Sequence, residues 1–233
     1  MYRISNDTSP PSTIDGLPIG FHEFTLVGLS YIFFRDSNGP SAEALLHFHD
    51  LLLFTLFPIL FGVLSLIFFS LFRSPSYRHL VDHQPREFIW TLLPTLALIC
   101  LSLPSLSLLY LLDEVGFPCS TSKVQAHQWY WHYENSDLQL STTDSYLSSS
   151  PYRLLNTDTS LSVPVRLVLR FLVTSADVLH SWTVPSWGLK VDAVPGRLNQ
   201  LSVFLDRPGI FYGQCSEICG SNHSFIPIKA EVF

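Results

Sequence analysis

Two long stretches without a single charge decide what this chain can fold into. Residues 51–72 read LLLFTLFPILFGVLSLIFFSLF, and residues 88–112 read FIWTLLPTLALICLSLPSLSLLYLL. At about 1.5 Å per helical residue the shorter run covers about 33 Å, against a hydrocarbon core of about 30 Å. A core helix of a soluble protein keeps a polar stripe, and these runs have none. The expectation is a transmembrane hairpin over 45–112, with helices at about 45–72 and 86–112 and an inner loop over 73–87. Pro58, Pro94 and Pro104 are tolerable there, because neighbouring helices re-satisfy the carbonyls that proline frees.

The charges orient the hairpin. Its loop carries Arg73, Arg78 and Arg86 against Asp82 and Glu87, the one stretch with a basic excess. Residues 1–50 hold two basic and six acidic side chains, and residues 113–233 hold eight and eleven. The positive-inside rule puts the loop on the inner side and both termini outside. Across the chain, 13 basic against 19 acidic residues give −6, which argues against a nucleic-acid partner. A charged fraction of 14% with 47% hydrophobic residues excludes a disordered chain. Residues 1–44 read as an external arm with no assigned role. The arm opens on the polar stretch MYRISNDTSPPSTIDG; Asp7 and Asp15 argue against a basic presequence, and no cleavable signal is expected. The apolar run 24–34 is too short to span.

Beyond residue 112 the period changes from helical to alternating. In 163–173 every odd position is apolar, with Arg166 and Arg170 on the opposite face, which predicts one continuous half-buried strand. Trp187, Leu189 and Val191 alternate with Lys190 and Asp192; Leu201, Val203 and Leu205 form another set; Ile226, Ile228, Ala230 and Val232 alternate with Lys229 and Glu231. Val-Pro-Gly at 194–196 and Arg-Pro-Gly at 207–209 are turn signals. Residues 141–150, with seven Ser/Thr in ten, read as a loop. The sum is a small β-sandwich or barrel over 113–233.

The tail carries Gly213-Gln-Cys215-Ser-Glu-Ile-Cys219-Gly-Ser-Asn-His223, a Cys-x3-Cys-x3-His spacing, and His180 in Val-Leu-His-Ser-Trp is a fourth candidate ligand. Thiolates are soft and imidazole is borderline, so the set selects zinc or copper over magnesium or calcium. Three readings stay open at this level. Cys215 and Cys219 could pair as a disulfide on an oxidising face, leaving both histidines without a task. The four residues could close a structural zinc tetrahedron. They could also hold redox copper, for which the aromatic block Gln128-Trp129-Tyr130-Trp131, with Trp182 and Trp187 near His180, supplies apolar surroundings. Ordinary core packing accounts for at least two of the five tryptophans. Cys100 reads as a packing residue in the second helix, Cys119 has no assignment, and His47, His49, His79 and His83 read as interfacial or loop residues.

At this point the chain resembles subunit II of cytochrome c oxidase, mitochondrial type. The stretches that carry the likeness are LLHFHD at 45–50, PSLSLLYLLDE at 104–114, HQWYWHYE at 127–134, SADVLHSWTVPSWGLKVDAVPGRLNQ at 175–200 and PGIFYGQCSEICGSNHSF at 208–225. The resemblance implies a membrane protein: a two-helix hairpin followed by an all-β, cupredoxin-like Greek-key domain holding a binuclear copper A centre. It implies that Cys215 and Cys219 bridge two coppers, that His180 and His223 each bind one, and that Glu217 adds its carbonyl to the His223 copper. It also implies that the Glu217 carboxylate holds Mg2+ at the boundary with subunit I. The family has a methionine ligand three residues after the second histidine; here that residue is Ile226, which has no donor atom. Met1 is the only methionine, so a misread mitochondrial codon or RNA editing would explain the letter.

Further implications concern partners. Trp129, with Tyr130 beside it, is the expected entry point for electrons from cytochrome c. Glu134, Asp137, Asp144, Asp158 and Asp177 are the expected docking acids, and Glu87 the expected proton entrance. Electrons would pass to haem a in subunit I, where the complex, not this chain alone, reduces oxygen and pumps protons. Subunit I, the other complex IV subunits and membrane lipid are the implied neighbours. The implied location is the mitochondrial inner membrane, with both termini and the copper domain in the intermembrane space. Two other readings compete: a membrane-anchored copper or zinc carrier, which needs no HQWYW block, and a quinol oxidase subunit, which lacks the copper ligands.

Overall fold

The computed structural model describes residues 13–14, 17–18, 34–72, 82–114, 116–135, 141–149 and 152–233. Most of the expected arm, the loop residues 73–81 with Arg73, Arg78 and His79, and Asp137 lie outside the described residues. Two dipeptides of the arm, β1 (Thr13–Ile14) and β2 (Leu17–Pro18), pair antiparallel.

The uncharged runs form α1 (Pro40–Phe72) and α2 (Gln84–Asp113), which pack on each other. Both begin before the apolar runs do. In α1 the first turn starts at Pro40, whose fixed φ suits a helix start. In α2 the His83 ring Nδ1 accepts the Arg86 N–H, and Pro85 sits in the first turn. The apolar side chains of both helices face outward: Phe54, Leu66, Leu71 and Leu103 are at least 70% exposed. In water such surface would be a large cost; in lipid it is the favourable arrangement. The hydroxyls on these helices bond back to their own backbone: Thr55 to the Leu52 carbonyl, Ser70 to Ile67, Thr91 to Glu87, Thr95 to Thr91 and Ser102 to Ile99. That removes these five donors from the surroundings.

After residue 119 the chain is β. A five-stranded sheet runs β10 (Asn199–Phe204), β7 (Val168–Ser175), β3 (Ser120–His127), β4 (Tyr130–Asn135), β5 (Ser141–Ser145). A three-stranded sheet runs β11 (Gly209–Gln214), β12 (Pro227–Val232), β6 (Leu161–Val163), and β8 (His180–Val184) pairs with β9 (Leu189–Ala193). Alternation puts Val124 and Ala126, Trp131 and Tyr133, Leu169, Phe171 and Val173, and Ile228, Ala230 and Val232 into one shared core. Trp182 and Trp187 fill its centre around Phe171, with ring centroids 5.1 and 6.1 Å from it.

Two expectations need correction. The expected single strand over 163–173 is two strands in different sheets, β6 beside β12 and β7 between β3 and β10. Pro164 has no N–H for a ladder, and Arg166 stands at φ 59° with its N–H on the Leu205 carbonyl, so the chain crosses between sheets there. The odd positions stay inward on both sides of the crossing, which is why periodicity alone reads them as one. Residues 141–145, expected as loop, form the edge strand β5 against β4. An edge strand needs only one paired side, and polar residues there discourage further pairing.

The anchor meets the β-domain at the start of α1. Asn38 is fully buried and donates its backbone N–H to the Ser186 carbonyl at 2.7 Å. Its side chain accepts the Arg207 N–H at 2.8 Å and donates to the Arg207 carbonyl at 3.0 Å.

Candidate metal centre

The loop between β11 and β12 is pinned at three points. The Cys215 N–H bonds the Ile226 carbonyl at 3.0 Å, closing the loop where the last rung of the ladder pairs Gln214 with Pro227. The Ser216 N–H bonds the Ser181 carbonyl at 3.0 Å, tying the loop to β8. The His223 N–H bonds the Gly220 carbonyl at 3.3 Å and opens a short 3-10 turn, His223–Phe225. His180, the first residue of β8, is fully buried beneath the loop.

These constraints bring four donors together. His180 Nδ1 lies 3.8 Å from Cys215 Sγ, the two sulfurs are 4.0 Å apart, and Cys219 Sγ lies 3.6 Å from His223 Nδ1. The Glu217 carbonyl is 3.5 Å from Cys215 Sγ. Both cysteines are free thiols, so they do not pair as a disulfide. Among the described residues, His180, Cys215 and Cys219 are the one set of ligand atoms that converge within 4.8 Å. Burial pushes the Cys215 thiol up, but the His180 imidazole and nearby backbone groups outweigh it and bring the thiol down to about 6. Cys219 moves the other way, first by burial and then by the negative charge of Cys215. Burial disfavours a charged His180, but Cys215 and Asp177 outweigh it and raise its pKa. Two adjacent thiols beside an imidazole, one of them readily deprotonated, have the chemistry of a soft-cation site. Two thiolates and two imidazoles suit zinc or copper.

The other residues singled out in the sequence fall at graded distances from this loop. Trp129 sits in the β3–β4 turn, partly buried against the core, with its indole on Gly220; a Cβ there would lie 3.3 Å from the ring. Gln128 Nε2 donates to the Cys219 carbonyl at 2.9 Å. Tyr130 stacks between His127 and Tyr146, at centroid distances of 4.7 and 4.5 Å. Glu134 pairs with Lys123 at 3.0 Å, and Asp144 pairs with His132 at 2.6 Å. Asp158 accepts the Tyr146 and Thr159 backbone N–H groups. Asp177 accepts from His180 Nε2 at 2.9 Å. Glu217 is exposed, Ile226 is 1% exposed, and Glu87 lies in the first turn of α2, within the anchor. Trp131, Trp182 and Trp187 are fully buried in the core. Gln128 and Gly220 were missed as supporting residues; the sequence signal was the position of each, directly beside Trp129 and Cys219.

Comparison with known proteins covers both parts of the chain. Residues 28–108 match the family model for the transmembrane domain of cytochrome c oxidase subunit II, and residues 120–233 match that for its periplasmic domain. Among solved structures, the periplasmic domain of subunit II of cytochrome oxidase (CoxB) of Bradyrhizobium japonicum is 42% identical, with TM-score 0.50, over 52% of this chain and 88% of that one. A mixed disulfide intermediate between a thioredoxin-like protein and a cytochrome c oxidase subunit II domain is 41% identical, with TM-score 0.46, over 52% of this chain and 85% of that one.

Proposed function

The chain belongs to the cytochrome c oxidase subunit II family, as a subunit of a haem-copper terminal oxidase, and on that premise we propose that it is the electron-entry subunit, taking electrons from cytochrome c at a binuclear copper A centre. The observation that carries the reading is the cluster, unique among the described residues, in which buried Cys215, Cys219 and His180 and half-buried His223 lie at 3.6–4.0 Å spacings. The donors fit the group: the Cys215 and Cys219 thiolates and the His180 and His223 imidazoles would hold the coppers, and the Glu217 carbonyl would add a weak oxygen donor. When bound, such a centre shares one unpaired electron over two metals and so changes geometry little on reduction.

The chain's own residues do the rest. The β11–β12 loop is pinned by backbone bonds at Cys215, Ser216 and His223 and by the Gln128 side chain on the Cys219 carbonyl, and these bonds position both sulfurs. The buried core of Trp131, Trp182 and Ile226 excludes water from the inner side of His180. Trp129, lying on Gly220 next to Cys219, offers the outer contact for the donor protein, and Tyr130 extends that aromatic surface. Ile226 contributes packing only; a centre lacking the sulfur donor is expected at a raised potential, and a redox titration measures it. Peptide mass over residues 220–233 establishes whether Ile or Met stands at 226.

Finer assignments also belong to this proposal. The exposed Glu217 carboxylate would hold Mg2+ against subunit I, Glu87 would mark proton uptake, and Glu134, Asp144 and Asp158 would contribute acidic field toward cytochrome c. The anchor would lie in the mitochondrial inner membrane beside the other complex IV subunits, with electrons passing to haem a in subunit I. The charge balance and the sequence likeness support this placement, while the similar solved domain from Bradyrhizobium japonicum is bacterial. The test is metal analysis and near-infrared spectroscopy of the purified complex. Two coppers in this subunit with a mixed-valence band are expected; zinc, or copper without that band, rejects the reading.

A further inference from the structure

The chain enters α1 through a grip that the β-domain closes from two sides. Asn38 is fully buried and gives its N–H to the Ser186 carbonyl, in the 3-10 turn Pro185–Trp187. On the other side its amide accepts the Arg207 N–H at 2.8 Å and donates to the Arg207 carbonyl at 3.0 Å, the exchange that one strand makes with the next. The Arg207 guanidinium donates to the Ser37 carbonyl. Gly39 follows at φ 133°, where a Cβ would run into the Phe204 carbonyl. Ala42, in the first turn of the helix and 5% exposed, lies so near Gly188 that a Cβ there would stand 2.8 Å from its Cα. Phe34 meets the His49 ring edge-on at 4.8 Å and so holds the approach segment along α1.

Both gripped turns end strands that carry metal donors. The first follows β8, which begins at His180; the second leads into β11, which delivers Cys215. These two strands pack side by side, and the Ser216 N–H on the Ser181 carbonyl joins their far ends. Over the 5 residues of β8, at about 3.3 Å each, the donors lie about 17 Å from the grip. We propose that Asn38 is a positioning residue: its clasp fixes the β-domain on the membrane anchor and, through β8 and β11, fixes where the metal loop stands relative to the haem-bearing subunit. This rests on the copper reading above. A fully buried amide bonded at both its oxygen and its nitrogen to one residue's backbone sets an angle as well as a distance, which apolar contact alone does not.

The experiment compares Asn38→Ala and Asn38→Asp with the parent in the assembled oxidase. Amide exchange over residues 34–43 and 204–209, followed by mass spectrometry, needs no copper. Asn38→Ala leaves the Arg207 N–H and carbonyl without their partner, and exchange there is expected to rise about 5- to 150-fold, the effect of leaving such groups unpaired. Copper content and the near-infrared band should stay as in the parent, because the metal loop keeps its own bonds to β8 and β12. After flash reduction of the copper centre, onward transfer to the haem is expected to be slower and multiphasic, while electron entry from cytochrome c keeps the parent's rate. A residue that only stabilises the fold behaves otherwise: Asn38→Ala would lower the subunit's thermal midpoint and keep the parent's onward transfer rate. That outcome overturns the proposal, and so does parent-like amide exchange. If Asn38→Ala does not assemble, Asn38→Asp, which keeps the acceptor for the Arg207 N–H and loses only the donor, takes the same measurements, and a parent-like onward rate in it overturns the proposal. A parent complex without copper in this subunit overturns the copper reading and the electron-transfer role with it, while the exchange measurement still reports whether the clasp holds.

Discussion

The anchor and the β-domain spend the same kind of side chain in opposite ways. Phe61, Leu66 and Phe69 on α1 are 58–72% exposed, while Phe171, Leu169 and Leu205 in the β-domain are at most 1% exposed. Beyond the start of α1, the two helices have only each other and their surroundings to pack against, and their backbone bonds are satisfied within each helix. The strands satisfy theirs only across sheets, so burial of side chains and pairing of backbone come together. Exposure therefore carries no meaning until the solvent is named: lipid for one region, water for the other.

The largest test of that contrast is truncation. Phe171→Ala leaves a cavity between Trp182 and Trp187 and is expected to cost about 3–5 kcal/mol of β-domain stability. Phe61→Ala in α1 should leave the domain's unfolding midpoint unmoved. Thermal unfolding followed by near-UV circular dichroism compares them, and equal effects would mean that the two regions form one cooperative core.

Charge is the next lever. Leu64 on α1 and Leu198 on the β-domain have nearly equal exposure, 51% and 54%. Leu64→Arg should disfavour membrane insertion by about 2.5–3.5 kcal/mol. Leu198→Arg, facing water, should stay within about 0.5 kcal/mol. An insertion assay for the first and denaturant unfolding for the second make the comparison; a harmless Leu64→Arg would remove α1 from the bilayer core.

Glycine draws the same line at smaller scale. A Cβ on Gly213 would run into the Thr183 carbonyl, where β11 passes β8, whereas a Cβ on Gly62 meets nothing within 4 Å. Gly213→Ala is expected to cost about 1–3 kcal/mol and to loosen the neighbouring Cys215, visible as faster copper loss. Gly62→Ala should be neutral or favour the helix by up to about 1 kcal/mol.

How much of this could be read from the letters follows from the same division. The anchor was legible because a run of uncharged residues longer than the bilayer is thick has few other uses. The metal loop was legible because Cys215, Cys219 and His223 sit together in sequence. His180 was legible only as a fourth candidate ligand distant in sequence, and its specific role came from resemblance, since β8 and β11 are joined only by tertiary contacts. The crossing at Pro164–Arg166 was hidden because the odd positions stay apolar through it, although Leu167 is 40% exposed. Strand β5 was hidden because an edge strand needs no apolar face. The contacts of Gln128 with Asp177 and with Cys219 were unreadable for a further reason: the partners are 49 and 91 residues apart and each bond uses a backbone atom, which carries no sequence signature.

The smallest predicted effect is also the one that isolates burial from every other term. Tyr133 lies in the core at 2% exposure, and burial raises its phenol well above the usual value near 10. In the unfolded chain the phenol ionises near pH 10; in the folded domain it keeps its proton. Above pH 10 the unfolded state therefore binds fewer protons, so stability is intact below that pH and falls as pH rises, by about 1.4 kcal/mol per unit for this one group. Denaturant midpoints of the parent and of Tyr133→Phe between pH 9 and 11 should run parallel below pH 10, and above it the parent should fall relative to Tyr133→Phe. Parallel parent and Tyr133→Phe curves up to pH 11 would mean that the β-domain core admits hydroxide or water where the packing shows none.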